Sequence, residues 1–179
     1  FVEAEVIKTG PGWLVLGTNR RVLMWAQVGM IVVFQKHSIV PIVGRKREGL
    51  IRDEELVARV VDDGLWPLND WIRIERGDIQ EKCGSIILPE IYRRRELKGV
   101  IKGFGPGHLI KKGILTGARM ACHDIMGIGK GCLLGQLVYW SDKATTLDLG
   151  MERESCTFIK AGDLDFIECE EEHEQRASA

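Results

Sequence analysis

No apolar run in this chain reaches the length of about 18 residues that a membrane-crossing helix needs. The longest candidate, residues 28–34, is strand-sized, so a soluble protein is expected, with no membrane as partner. An excess of either charge is also missing. The 25 basic and 26 acidic side chains leave a formal net charge of -1, which gives no electrostatic reason to expect a nucleic acid or an anionic membrane. The runs Arg45-Lys46-Arg47 and Arg93-Arg94-Arg95 are short enough to be solvated loop charges. Cysteine pairs at CxxC spacing are absent. Cys83, Cys122, Cys132, Cys156 and Cys169 are odd in number, which suits a reducing compartment better than a disulfide framework.

The common catalytic and metal signatures are missing as well. Cys122-His123-Asp124 with Cys132 and Cys156 lacks the paired short spacings of a structural zinc site. As neighbours on a strand, Cys122 and His123 would point to opposite faces, so local sequence supplies no nucleophile and base. Gly127-Ile128-Gly129-Lys130-Gly131 resembles a phosphate loop only superficially. The loop's first glycine would fall at Asp124 and its serine or threonine at Gly131. No enzyme, metal or cofactor is expected.

What is present is enough apolar material for a core, 45% of 179 residues, and an internal repeat. Val6-Ile7-Lys8-Thr9-Gly10-Pro11-Gly12 is echoed by Val100-Ile101-Lys102-Gly103-Phe104-Gly105-Pro106-Gly107. Val28-Gly29-Met30-Ile31-Val32-Val33-Phe34 returns as Leu134-Gly135-Gln136-Leu137-Val138-Tyr139-Trp140. Residues 50–60 return as residues 158–168, and the three offsets are 94, 106 and 108. Matched segments in one order indicate a tandem duplication with insertions in the connections. Each segment is short, rich in Val, Ile and aromatics, and bounded by Gly, Pro and Asp, the pattern of small all-β architecture. Fifteen residues separate Gly12 from Val28 and 26 separate Gly107 from Leu134, so the second copy makes the longer excursion. It also has more at its front: Pro67-Leu68-Asn69-Asp70, the alternating strand Trp71-Ile72-Arg73-Ile74-Glu75, and the stretch at 81–97. Residues 61–66, VDDGLW, read as the linker.

The stretch at 81–97, EKCGSIILPEIYRRREL, fits neither helix nor central strand. Pro89 cannot donate to a ladder, and the arginines at 93–95 would keep an exposed aliphatic cluster soluble. The competing reading makes residues 86–88 an ordinary buried strand.

In their order, Pro67-Leu68-Asn69-Asp70-Trp71, the glycine and tripeptide Gly84 and Ile86-Ile87-Leu88, Gly105-Pro106-Gly107, the strand at 135–140 and Asp163-Leu164-Asp165-Phe166-Ile167-Glu168 resemble the chaperonin-10 (GroES-type) co-chaperonins. The likeness covers residues 67–168 and, in the first copy, residues 3–60, so that the whole is similar to the chloroplast-type double co-chaperonins. Three features depart from the family. Trp71 stands where an arginine or similar residue is usual, residues 110–131 are long for the roof hairpin, and the first copy shows no opening strand or loop.

The resemblance implies two tandem GroES-like small β-barrels. Residues 1–62 would form one, N-terminally incomplete in a chain that opens at Phe1. Residues 63–66 would be the linker, 67–170 the second barrel with its mobile loop, and 171–179 a frayed acidic tail. Ile86, Ile87 and Leu88 would dock on a chaperonin (Hsp60/GroEL-type) ring, with Gly84 letting the loop adapt. Gly105, Pro106 and Gly107 would form the roof, and Leu164, Phe166 and Ile167 would lie at the subunit interface of a ring-shaped homo-oligomer. The implied function is a dome-shaped lid on an ATP-bound chaperonin, enclosing an unfolded client protein in the cytoplasm or plastid stroma. Burying three aliphatic side chains yields a gross gain of about 1.5–3 kcal/mol each, offset by about 1–2 kcal/mol for each backbone residue ordered. One loop therefore binds weakly, and several on a ring bind tightly. The alternative is a structural or assembly protein, viral for instance, that keeps the fold without chaperonin binding.

Overall fold

The computed structural model of the chain describes residues 1–15, 17–62, 64–77, 82–83, 86–87, 97–110, 119–125, 134–150 and 155–168. Alternating and β-branched segments between glycine-marked turns set these residues into short strands. The first half holds β1 (Val2–Glu5), β2 (Trp13–Leu14), β3 (Arg21–Val22), β4 (Ile31–Phe34), β5 (Val40–Pro41), β6 (Gly49–Leu50), β7 (Leu56–Val61) and β8 (Gly64–Pro67). The second holds β9 (Trp71–Arg76), β10 (Lys82–Cys83), β11 (Ile86–Ile87), β12 (Lys98–Phe104), β13 (His108–Leu109), β14 (Arg119–Met120), β15 (Leu137–Trp140), β16 (Thr146–Gly150), β17 (Ser155–Lys160) and β18 (Leu164–Glu168). The protein is mostly β. Among the described residues the one α-helical element is the four-residue α1 (Cys122–Ile125), and no helix is long and apolar enough to cross a membrane.

A four-stranded sheet runs β1-β4-β7-β8 and a six-stranded sheet runs β16-β17-β9-β12-β15-β18. Among the described residues each keeps two edges, so neither ladder closes on itself. The pairs β2-β3, β5-β6, β10-β11 and β13-β14 are separate two-stranded ladders.

The duplication is visible in the ladders. The antiparallel meander β1-β4-β7 recurs as β12-β15-β18. Both meanders carry a bulge at the same point. In the first, Val33 faces Ala58 and Phe34 faces Leu56, which leaves Val57 as the extra residue. In the second, Tyr139 faces Phe166 and Trp140 faces Leu164, which leaves Asp165. A 3-10 turn precedes the bulged strand each time, at Asp53–Glu55 and at Ala161–Asp163. The offset of 94 for the first segment is corrected to 95. Gly29 donates to the Val6 carbonyl at 2.8 Å, as Gly135 does to that of Ile101 at 2.9 Å. Ile101, not Val100, is therefore the counterpart of Val6. A slip of one residue would turn every side chain of the strand to the other face, and Ile101 is fully buried.

Of the expected linker, residues 64–66 belong to β8, which folds back along β7 with Val61 opposite Gly64 and Ala58 opposite Pro67. Gly64 makes the reversal at φ +123°, and the burial of Leu65 holds the strand down. Leu65 enters a cluster that both copies build. Val33, Val57 and Ala58 from the first pack there with Trp71, Leu149, Cys156 and Phe158 from the second. Each copy also has a core of its own, around Val32, Phe34 and Leu56 in the first and around Ile72, Ile101, Val138 and Ile159 in the second. The shared cluster accounts for Trp71, the departure noted above. Its indole fills the join between the copies, with the Lys160 ammonium 5.3 Å from the ring centre. It also accounts for the unlike bulge residues. Val57 is buried because the second copy covers it, whereas Asp165, at the equivalent place, is exposed.

Candidate functional site

Strand β9 ends at Arg76 and β12 begins at Lys98, and the two are neighbours in one ladder, with Gly99 opposite Arg76. The connection between them thus leaves from and returns to a single fixed base. Gly99 allows the close crossing, since a Cβ there would run into Ile74 and the Glu75 carbonyl. Trp140 donates its backbone N–H to the Leu97 carbonyl at 3.0 Å. The Arg76 guanidinium sits 5.4 Å from the centre of the Trp140 ring and 3.7 Å from an Asp148 carboxylate oxygen. Within the connection, β10 and β11 form a hairpin in which Lys82 faces Ile87 and Cys83 faces Ile86. Among the described residues this ladder joins neither main sheet. Gly84 and Leu88, the other expected docking residues, lie outside the described residues.

Of the residues expected at the roof, Gly105 and Gly107 are placed by the junction. Gly105 donates to the Trp71 carbonyl and Gly107 to that of Asn69, both at 2.8 Å. Gly107 has φ +91° and is followed by the β13-β14 hairpin, in which His108 faces Met120. The first copy repeats this turn, with Gly12 at φ +83° leading into β2-β3, where Trp13 faces Val22. The β2-β3 hairpin of the first copy was not legible from the sequence.

Asn69, quoted only as part of a motif, proves to be the residue that ties the copies together. It is buried and holds φ +51°, a conformation asparagine tolerates better than most residues. Its side-chain amide donates to the Asp53 and Leu56 carbonyls at 2.8 and 2.9 Å, so it clasps the 3-10 turn of the first copy. Its own carbonyl receives the Gly107 amide of the second. The only advance signal was a polar residue between a proline-leucine pair and a strand. Beside it opens a cleft of about 800 Å3, whose lining includes Pro11, Trp13, Met24, Asp53, Asp70 and Lys160. Both carboxylate oxygens of Asp53 are engaged there by the backbone amides of Trp25 and Ala26, at 3.2 Å each.

Cys122 and His123 fall on a helical turn, α1, and not on the strand assumed above. Cys122 is buried and donates its thiol to the Gly105 carbonyl at 3.1 Å. Burial, with Asp70 nearby, pushes this thiol up to about 12. In the unfolded chain it ionises near its ordinary value of about 9. Between those two values the folded state holds the proton that the unfolded state has released, so stability falls as pH rises through that window. The full loss is on the order of 4 kcal/mol for three pH units. Urea unfolding of the parent and of Cys122→Ser at pH 8 and pH 11 is expected to show a clearly smaller drop for the serine variant. Among the described residues no three His, Cys, Asp or Glu side chains gather as a metal site.

On the closing strand, Leu164 and Ile167 are half-buried against the second copy's own core. Phe166 is 59% exposed, its ring tilted against Tyr139 at 5.8 Å. Strand β18 is an edge of the six-stranded sheet. No protein-family model matches the chain, and no curated protein is similar to it in sequence.

Proposed function

We propose that this chain is a tandem co-chaperonin of the chaperonin-10 kind. Two GroES-like units per chain assemble with further copies into a dome that caps an ATP-bound chaperonin ring and encloses an unfolded client. The observation that carries this reading is the separate hairpin of Ile86 and Ile87. An aliphatic pair outside both main sheets, on a connection whose ends are locked by the β9-β12 ladder, suits a docking element. A rigid base limits the ordering cost to the connection itself.

Assembly would use the edges of the main sheets. Inside the chain, β7 is covered by β8. The equivalent flank of β18 is open among the described residues and carries Phe166 where β7 has Ala58. With Asp165 in place of Val57, this flank cannot repeat the dry internal joint. Contacts between chains are therefore more polar than the contact within one, apart from the Phe166 anchor.

The test mixes the intact protein with a bacterial-type chaperonin and ATP and measures co-sedimentation. The parent is expected to bind, and Ile87→Asp to lose binding at least tenfold with its thermal unfolding unchanged. Equal binding by Ile87→Asp would reject the docking role. A parent that forms closed oligomers yet binds no chaperonin would favour the structural or assembly alternative.

A further inference from the structure

The chain contains one joint between its copies, and their exposed faces carry the two halves of another. Inside the chain Val33, Val57 and Ala58 of the first copy pack against Leu149, Cys156 and Phe158 of the second. The repeat supplies counterparts. On the second copy Tyr139 faces Phe166 as Val33 faces Ala58, and both ladders bulge at the next residue, so Tyr139, Asp165 and Phe166 take the places of Val33, Val57 and Ala58. On the first copy Leu50 takes the place of Phe158, and Val40 faces it as Leu147 faces Phe158. Ala58 and Phe158 are fully buried, whereas Phe166, Leu50 and Val40 are 59%, 64% and 61% exposed. Side-chain size is exchanged between the two sets. Within the chain the small residue is on the strand, Ala58 of β7, and the ring is on the hairpin, Phe158 of β17. In the exposed set the ring is on the strand, Phe166 of β18, and the smaller residue is on the hairpin, Leu50 of β6. Each set joins one aromatic ring to one smaller side chain, which avoids both the overpacking of two rings and the void left by none.

We infer that neighbouring copies of this chain dock head to tail, Phe166 and Tyr139 of one on Val40 and Leu50 of the next, and so repeat between chains the joint that the duplication makes within one. This names the contact surfaces of the assembly proposed above and rests on that reading. Charge agrees with the pairing. Asp165 and Glu48 take the places of Val57 and Cys156, and Arg45, 2.6 Å from Glu48, supplies the cation that two carboxylates at one joint require. A contact between like patches is disfavoured in either form. Two hairpins would bring Arg45, Lys46 and Arg47 against their own copies, and two β18 strands would do the same with Asp165 and Glu168. The contact therefore uses two different patches, each chain holds two neighbours, and the series closes into a ring or runs on as a filament.

The test uses two variants of the intact chain, Leu50→Asp and Phe166→Asp, and measures mass in solution by light scattering. Both side chains are mostly exposed, so thermal unfolding is expected to match the parent. The parent should form oligomers larger than a dimer, and each variant alone should be monomeric. An equimolar mixture should give dimers and nothing larger, because each variant keeps the patch the other lacks and the joined pair presents only the two spoiled ones. The exchange of sizes gives a second readout. Phe166→Ala is expected to weaken association about tenfold, and adding Leu50→Phe, which recreates the pairing of Ala58 with Phe158, should restore most of it. Dimers of either Asp variant alone, or a mixture that stays monomeric, overturn the head-to-tail contact. Oligomers that survive both Asp substitutions overturn these surfaces while assembly stands, and a monomeric parent overturns both.

Discussion

Gly107→Ala is expected to cost about 2–4 kcal/mol of stability, whereas Gly135→Ala should cost only about 1 kcal/mol. The two glycines share nearly the same backbone, φ +91° and +85°, so the strain of placing a Cβ in the left-handed region is common to both. Their surroundings differ. A Cβ on Gly135 meets nothing within 4 Å, while one on Gly107 would run into the Met120 carbonyl and sit 2.7 Å from the Ala121 Cα. Those are backbone atoms of β14 and the residue after it, which cannot rotate away as a side chain would. Relief requires pulling β14 off β13, or breaking the 2.8 Å bond from the Gly107 amide to the Asn69 carbonyl. Overpacking of this kind adds about 1–3 kcal/mol to the conformational strain, for a total of about 2–4 kcal/mol. Against a typical stability of about 5–15 kcal/mol, that is a large fraction. Urea midpoints of the two variants, measured side by side, check the claim. Equal shifts would mean that the β13-β14 hairpin does not lie over Gly107.

The repeat was legible because it is written in residues whose local demands are strict. Gly29 and Gly135 both need positive φ, and the apolar strands after them reach the core by alternation alone. The Gly-Pro-Gly turns announced themselves for the same reason. Register was less legible: matching Val6 with Val100 satisfies the letters, but only the hydrogen bonds of Val6 and Ile101 show which residues are equivalent. Features that arise between the copies left almost no local trace. Gly64, Leu65 and Trp66 look like linker residues because nothing nearby in sequence reveals that Val33, Val57 and Phe158 will meet Leu65. Asn69 was hidden likewise, since its partners Asp53 and Leu56 lie in the other copy. The two-residue ladders, β2-β3 and β5-β6 among them, are too short to show any period.

Phe158→Ala tests whether the joint between the copies is energetic as well as geometric. Phe158 belongs to the second copy by sequence, in β17, but packs in the cluster with Val33, Val57 and Ala58 of the first. Its ring is completely buried, and removing it is expected to cost about 3–5 kcal/mol, lost burial plus the cavity left behind. The informative part is where the loss appears. If the copies are one cooperative unit, amide exchange in β4 and β7 should speed up by the same factor as in β9 and β17, with unfolding still a single transition. Val138→Ala, in the second copy's own core, gives the comparison, because it weakens that copy without touching the shared cluster. Should Phe158→Ala leave β4 and β7 exchanging as in the parent, the cluster is only a contact between two independent units. The bulge residues favour the cooperative outcome. The same structural position carries Val57, buried where a second copy covers it, and Asp165, exposed where none does. The two sequences have diverged at the point where burial differs, as expected if the inner face of the joint contributes to folding and the outer face must stay wet.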